Sequence, residues 1–178
     1  MGVGKFGEKS RFAITVGETL SGRGAVRAVD VWAADQWLTC EDDAVYAPQF
    51  AWAVKADLGA LLRDPQLRRG RPHPELSIEE NFRRLRTDAE ADNAEYYRFM
   101  DWGPTADNVN MLLFQEGSIA YLAFAFRDLR RDDPLQLEKV FVAELPEWEL
   151  AKVLLDAAWA IIEDWHDSPG QTASDVFW

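Results

Sequence analysis

Residues 110–126, NMLLFQEGSIAYLAFAF, constrain the fold more than any other stretch. Two almost wholly apolar runs flank QEGS, where Gly117 can supply the positive φ that a tight turn needs. The pattern predicts an antiparallel hairpin. Because neither run alternates with polar residues, its strands are expected to be central, buried on one face and partly covered on the other.

The flanking segments supply the rest of a sheet and its helices. RFAITVGETL (11–20) alternates at Phe12, Ile14 and Val16, a strand pattern, and SGRG (21–24) reads as a turn. The next stretch places Val29, Val31 and Ala33 on one face and Asp30 and Trp32 on the other. AADQ is a second tight turn before WLT, which completes a short meander. Pro48 suits the first turn of a helix, followed by Phe50, Val54, Leu58, Leu61 and Leu62 at helical spacing and stopped by Asp64-Pro65. Residues 66–76, with Pro72 and Pro74, read as an exposed loop, within an Arg-rich loop spanning about 63–76.

SIEE (77–80) has the form of a capping box, in which the Ser77 hydroxyl accepts an early backbone N–H and Glu80 reaches back to that of Ser77. Ile78, Phe82, Leu85 and Ala89, resumed at Tyr96 and Phe99, predict one long helix or two shorter ones. LEKVFVAEL (137–145) is a further strand. Pro146 then opens a helix whose apolar stripe is read as Trp148, Ala151, Leu155, Ala158, Ile162 and Trp165, widened by Leu154 and Ile161. Glu149, Lys152, Asp156 and Glu163 occupy its other face, the three acids recurring every seven residues. Residues 167–178 form a polar tail that ends in Phe177-Trp178. Strands and helices come in blocks, in the order strands, helix, helix, strands, helix. That order predicts an α+β fold: a mainly antiparallel sheet with helices packed on it. At 178 residues one globular domain, 1–178, is expected. Eight Trp and ten Phe place much of its core energy in large aromatics.

Charge narrows the partners. The net charge of −12 disfavours nucleic acid and anionic membrane, and favours encounter with a basic protein; it also serves plain solubility. The charge is uneven. Residues 63–86 carry seven Arg against four acids, a local +3, while the remainder holds 12 basic and 27 acidic residues. The Arg island reads either as a phosphate or nucleic-acid patch or as same-helix pairing of Arg83, Arg84 and Arg86 with Glu79, Glu80 and Glu90. The pairing is favoured, since the partners stand at the required spacing.

Catalytic and metal chemistry find little support. The two histidines, His73 and His166, lie far apart, and no CxxC, HxxxH or HExxH occurs, so no metal and no cofactor are expected. Cys40 stands before Glu41, Asp42 and Asp43, whose negative field disfavours a thiolate nucleophile. There is no GxSxG, and GVGKFG at 2–7 lacks both a preceding strand and a GK[ST]. No catalytic residue is assigned. An enzyme built from scattered carboxylates would require a deep pocket holding carboxyls with raised pKa values, and a self-associating regulatory domain would use exposed aromatics such as Phe177-Trp178. Two acidic groups remain as candidates for partner contact: Glu41, Asp42 and Asp43 after a short strand, and Glu149, Asp156 and Glu163 along the last helix. No apolar run approaches a membrane span, and MGVGKFGEKS lacks the apolar stretch of a secretory signal. With a single cysteine these point to the cytoplasm.

Two segments carry a family resemblance. KSRFAITVGE through VDVWAADQWLTCEDDAVYAPQFAWAVKADLGALL resembles the opening of bacterial immunity proteins from contact-dependent inhibition and other polymorphic toxin systems: strand, turn, strand, polar turn, then a helix ending in a leucine pair, here Leu61 and Leu62. KVFVAELPEWELAKVLLDAAWAII is similar to their close, a last strand feeding a helix through a Pro-acid turn. The resemblance implies a small α+β protein that binds the C-terminal domain of one cognate toxin, often a nuclease, in the cytoplasm and occludes its active site. It assigns no functional residue and leaves the Arg-rich middle unmatched.

Overall fold

The computed structural model describes residues 4–21, 25–39, 43–63, 68–87, 94–127 and 139–163. Its elements are β1 (Gly4–Glu8), β2 (Phe12–Thr19), β3 (Val26–Ala33), β4 (Gln36–Trp37), β5 (Ala44–Tyr46), α1 (Ala47–Leu61), α2 (Ile78–Thr87), α3 (Ala94–Tyr97), β6 (Arg98–Phe99), β7 (Val109–Glu116), β8 (Ile119–Phe126), β9 (Phe141–Pro146) and α4 (Glu147–Glu163). This is the expected α+β order, built on two antiparallel sheets rather than one. The first runs β1-β2-β3 with β4 and β5 both along the far edge of β3; the second runs β6-β7-β8-β9.

The hairpin of residues 109–126 forms as its pattern requires. Met111 faces Phe124 and Leu113 faces Leu122, with Gly117 at φ 60 in the turn. Burial goes further than expected, because both faces of the hairpin are covered. Met111, Leu113, Leu122 and Phe124 enter the main core, while Leu112, Phe114, Ala123 and Ala125 meet Phe82 and Leu85 of α2 in a second cluster. In the first sheet, Phe12, Ile14 and Val16 of β2 and Val29, Val31 and Ala33 of β3 all turn into the main core. The AADQ turn is a two-residue hairpin loop with Ala34 and Asp35 both at positive φ (48 and 60), the geometry that matches strand twist.

β1 had no counterpart among the expected strands. The glycine-rich start pairs antiparallel with β2, Lys5 opposite Thr15. Gly7 is required there: its φ is +80, and a Cβ would stand 2.2 Å from the carbonyl oxygen of Phe12.

The capping box is present. Ser77 N–H donates to Glu80 Oε2 at 2.8 Å, and Glu80 N–H donates to Ser77 Oγ at 3.2 Å. Ala89 lies outside the described residues, and Phe99 belongs to a strand. α1 begins with Pro in its first turn, as expected. Its end differs: Leu61 is buried but Leu62 is exposed, so only one of the leucine pair serves the core.

The buried stripe of α4 also differs. Leu150, Val153, Leu154, Ala157, Ala158, Ile161 and Ile162 are buried, whereas Trp148 and Leu155, read as core, are exposed. Trp165 lies outside the described residues. The helix is apolar around most of its circumference, so periodicity alone does not choose a face. Packing chooses it: α4 lies against α1 and across β1, β2, β8 and β9. At the centre, Phe12, Phe50, Phe99 and Trp102 make edge-on contacts at 5.1 to 6.4 Å, joining β2, α1 and β6.

Candidate functional site

The acidic residues proposed for partner contact occupy different environments. Asp43 is exposed, and its backbone is pinned to the sheet because its carbonyl accepts Val29 N–H at 2.7 Å. Cys40, Glu41 and Asp42 lie outside the described residues. On α4, Glu149 is mostly buried at its side chain and receives Arg11 Nη1 at 2.7 Å, while Arg11 also meets Glu8 at 3.2 Å. Asp156 is paired with Lys152 one turn earlier. Glu163 closes the helix, and its side chain lies outside the described residues. The described acids Glu149 and Asp156 are therefore matched within the chain.

The same helix exposes residues that the apolar periodicity placed in the core. Trp148 is 67% exposed, Trp159 51% and Leu155 42%. Their spacing of seven and four residues sets them along one side of α4. Trp52, 66% exposed, stands on α1, which packs against α4. These two packed helices thus carry three largely exposed indoles, where monomeric proteins usually place charge. The available signal was the excess of tryptophan at positions beyond the need of a single buried stripe.

The Arg island is not a free loop. Arg68 bonds the Gly117 carbonyl and Glu147 at the start of α4. Arg71 meets Glu116, Nη2 to Oε2 at 3.1 Å, and donates to the Leu76 carbonyl at 2.8 Å. Between them Arg69 is buried; its backbone pairs with Gln115, whose N–H donates to the Arg69 carbonyl at 2.9 Å. Gln115 Nε2 in turn donates to the Leu61 carbonyl at 3.1 Å and to Glu147 at 3.2 Å. Asn81 completes the strap by donating to the carbonyls of His73, Leu76 and Ser77. The segment read as an exposed loop is tied to the β7–β8 turn, to α2 and to α4. Among the described residues no close ion pair joins Arg83, Arg84 or Arg86 to Glu79 or Glu80: the Glu80 carboxylate accepts the Ser77 N–H, and the charge of Arg83 acts on it at longer range. Glu90 lies outside the described residues.

One half-buried carboxyl has no signature in the sequence. Asp57 on α1 accepts the Met100 backbone N–H at 2.8 Å and the Trp102 indole N–H at 2.7 Å. Burial raises its pKa above the ordinary value, opposed by those two hydrogen bonds and by the charge of Arg69. It holds a turn in place. Arg69 is shifted down by burial, and among the described residues its Nε and Nη1 have no hydrogen-bond partner.

Two clefts open on the described surface. The smaller, about 180 Å³, lies next to Asp43 between β5, the start of α1 and the 104–105 turn, edged by Tyr46, Gln49 and Thr105. The larger, about 640 Å³, lies where α2, β6 and the far ends of β7 and β8 meet. Among the described residues no group of three His, Cys, Asp or Glu could hold a metal, and no helix is long and apolar enough to cross a membrane.

No protein-family model matches the chain, and no curated protein matches it in sequence. Among solved structures, CdiI from Burkholderia dolosa AUO158 shares its fold, with a TM-score of 0.51 over 86% of this chain and 97% of that one, at 16% identity. CdiI is an immunity protein of contact-dependent inhibition systems, the family that the opening and closing segments resemble. At this identity the likeness establishes the architecture, and function rests on the surfaces that the architecture carries.

Proposed function

We propose that this chain is an immunity protein, one that binds a cognate toxin's C-terminal domain in the cytoplasm and occludes its working surface. The observation that carries the reading is the fold shared with CdiI along 97% of that protein. On this reading the chain is a binding protein with no catalytic residue and no cofactor. Its charge of −12 suits a basic partner, and nucleases are basic where they hold the phosphate backbone. An acidic inhibitor can stand in for that backbone.

The surfaces divide the work. Trp52, Trp148 and Trp159 supply large anchors of the kind that dominate interface energy. Glu41, Asp42 and Asp43 on one side, and Glu149, Asp156 and Glu163 on α4, supply steering and charge-assisted hydrogen bonds. The internal pair Lys152–Asp156 does not oppose this role: a solvent-accessible ion pair is worth only about 0–1 kcal/mol, so exchanging it for a partner's Lys or Arg is nearly neutral in free energy. Glu149, mostly buried against Arg11, acts through its charge rather than by exchanging its partner.

The test is co-expression with the C-terminal domain of the large protein encoded next to this chain, with growth and purified binding measured at two salt concentrations. Rescued growth and nanomolar 1:1 binding that weakens with salt are expected. Absence of both rescue and binding removes the reading.

A further inference from the structure

The larger cleft brings three arginines together, facing Glu95, Asp101 and Asp107. Arg86 comes from the end of α2, Arg98 from β6 and Arg127 from just past β8, so three separate elements deliver guanidiniums to one opening. Elsewhere Arg11, Arg68 and Arg71 are each matched by a carboxylate. Here Arg98 is held by Glu95 at 3.3 Å and Asp101 at 3.4 Å, but Arg86 and Arg127 have no carboxylate within ion-pair distance among the described residues. Arg86 lies over the Phe82 ring, 5.6 Å from its centroid. Asp107 also lines the cleft at longer range. The Arg127 guanidinium is shifted down by burial and then by repulsion from Arg98 and Arg86, which outranks the attraction of Asp107 and Asp101.

The cleft is also built rigidly. Its floor is apolar, with Phe99 and Met111 buried beneath it and Phe126 at its side. Met100, at φ 67, lines it in a backbone conformation that bulky residues rarely adopt. That conformation is pinned from behind by Asp57. Held strain of this kind clusters at binding sites.

We propose that this cleft binds a small organic anion, its phosphate or carboxylate gripped by Arg127 and Arg86 beside the anchored Arg98, and its apolar or aromatic body laid against Phe99 and Phe126. Guanidinium forks match both anions in geometry. The volume of about 640 Å³ is that of a small-molecule site. A polyanion is disfavoured, because the −12 charge repels it beyond the reach of three arginines.

The test uses the full chain alone. Adenosine monophosphate and benzoate serve as phosphate and carboxylate probes, adenosine as the uncharged body and inorganic phosphate as the bodiless anion, each titrated by amide NMR. Saturable shifts from at least one anionic probe are expected at β6, the end of α2 and the β7–β8 ends, with adenosine and inorganic phosphate at least about tenfold weaker. Arg127→Gln and Arg86→Gln should each weaken the best probe about tenfold, and Arg83→Gln, on α2 outside the cleft, should leave it unchanged. No shifts at millimolar probe, equal binding of adenosine, equal binding of inorganic phosphate, or insensitivity to both cleft variants overturns the proposal.

Discussion

Asp57 and Met100, 43 residues apart, are joined by a 2.8 Å hydrogen bond in which the carboxylate accepts the backbone N–H. The same oxygen accepts the Trp102 indole at 2.7 Å. One side chain of α1 thus sets the turn that links β6 to the aromatic centre of the core. Met100 and Trp102 are both 3% exposed, so neither donor has water to turn to. Asp57→Ala is expected to lower unfolding free energy by about 2–4 kcal/mol, read by urea denaturation. A loss below about 1 kcal/mol would mean that the turn finds other acceptors.

The same carboxyl makes a signed prediction in pH. Its folded pKa lies above the ordinary 3.8 because burial outweighs the hydrogen bonds it accepts. The folded state therefore holds this proton more tightly than the unfolded state. The contribution of Asp57 to stability falls as pH rises from the unfolded value through the raised folded one, and is level below both. Measured against Asp57→Asn, which does not titrate, the wild type should lose relative stability across that window. A relative gain would show that the hydrogen bonds outweigh burial.

Two glycines should respond in opposite directions. Gly7→Ala places a Cβ against the Phe12 carbonyl at positive φ and should cost about 2 kcal/mol or more. Gly59 lies within α1 with nothing within 4 Å of where a Cβ would stand, so Gly59→Ala should stabilise by about 0.5–1 kcal/mol. Thermal melts of the two variants check both signs.

Glu147 and Arg68 test the strap. Glu147 accepts from both Arg68 and Gln115, while Arg68 is one donor among several in the segment. Glu147→Ala should therefore destabilise more than Arg68→Ala, with a coupling of about 1 kcal/mol in a double-mutant cycle. Zero coupling would detach the loop from α4 energetically.

The indoles of the helix layer separate stability from binding. Trp148→Ala and Trp52→Ala should change unfolding free energy by no more than about 0.5 kcal/mol, since both side chains stand mainly in water. On the proposed function, each should weaken toxin-domain binding by about 2 kcal/mol. Leu154→Ala, on the inner face of the same helix and fully buried, should instead lose about 2–5 kcal/mol of stability. Urea denaturation of the three variants, set beside their binding to the toxin domain, checks the separation.

Features that a few neighbouring residues settle among themselves were legible before any folding was considered. Ser77 and Glu80 cap a helix because they are three apart. Gly117 turns a hairpin because its own φ allows it, and period-two apolar runs make strands wherever they are placed. The block order of such segments was enough for the α+β class. Packing made the remaining choices. It selected which side of a nearly all-apolar α4 is buried, turned Trp148 outward, drew the glycine-rich start into β1 and set Asp57 under Met100 and Trp102. It also committed Arg68 and Arg71 to Glu147 and Glu116, 79 and 45 residues away. The convergence of Arg86, Arg98 and Arg127 on one cleft belongs to this second group. Local rules reach about one turn of helix or one strand pair, whereas each of these contacts exists only once distant segments have been brought together.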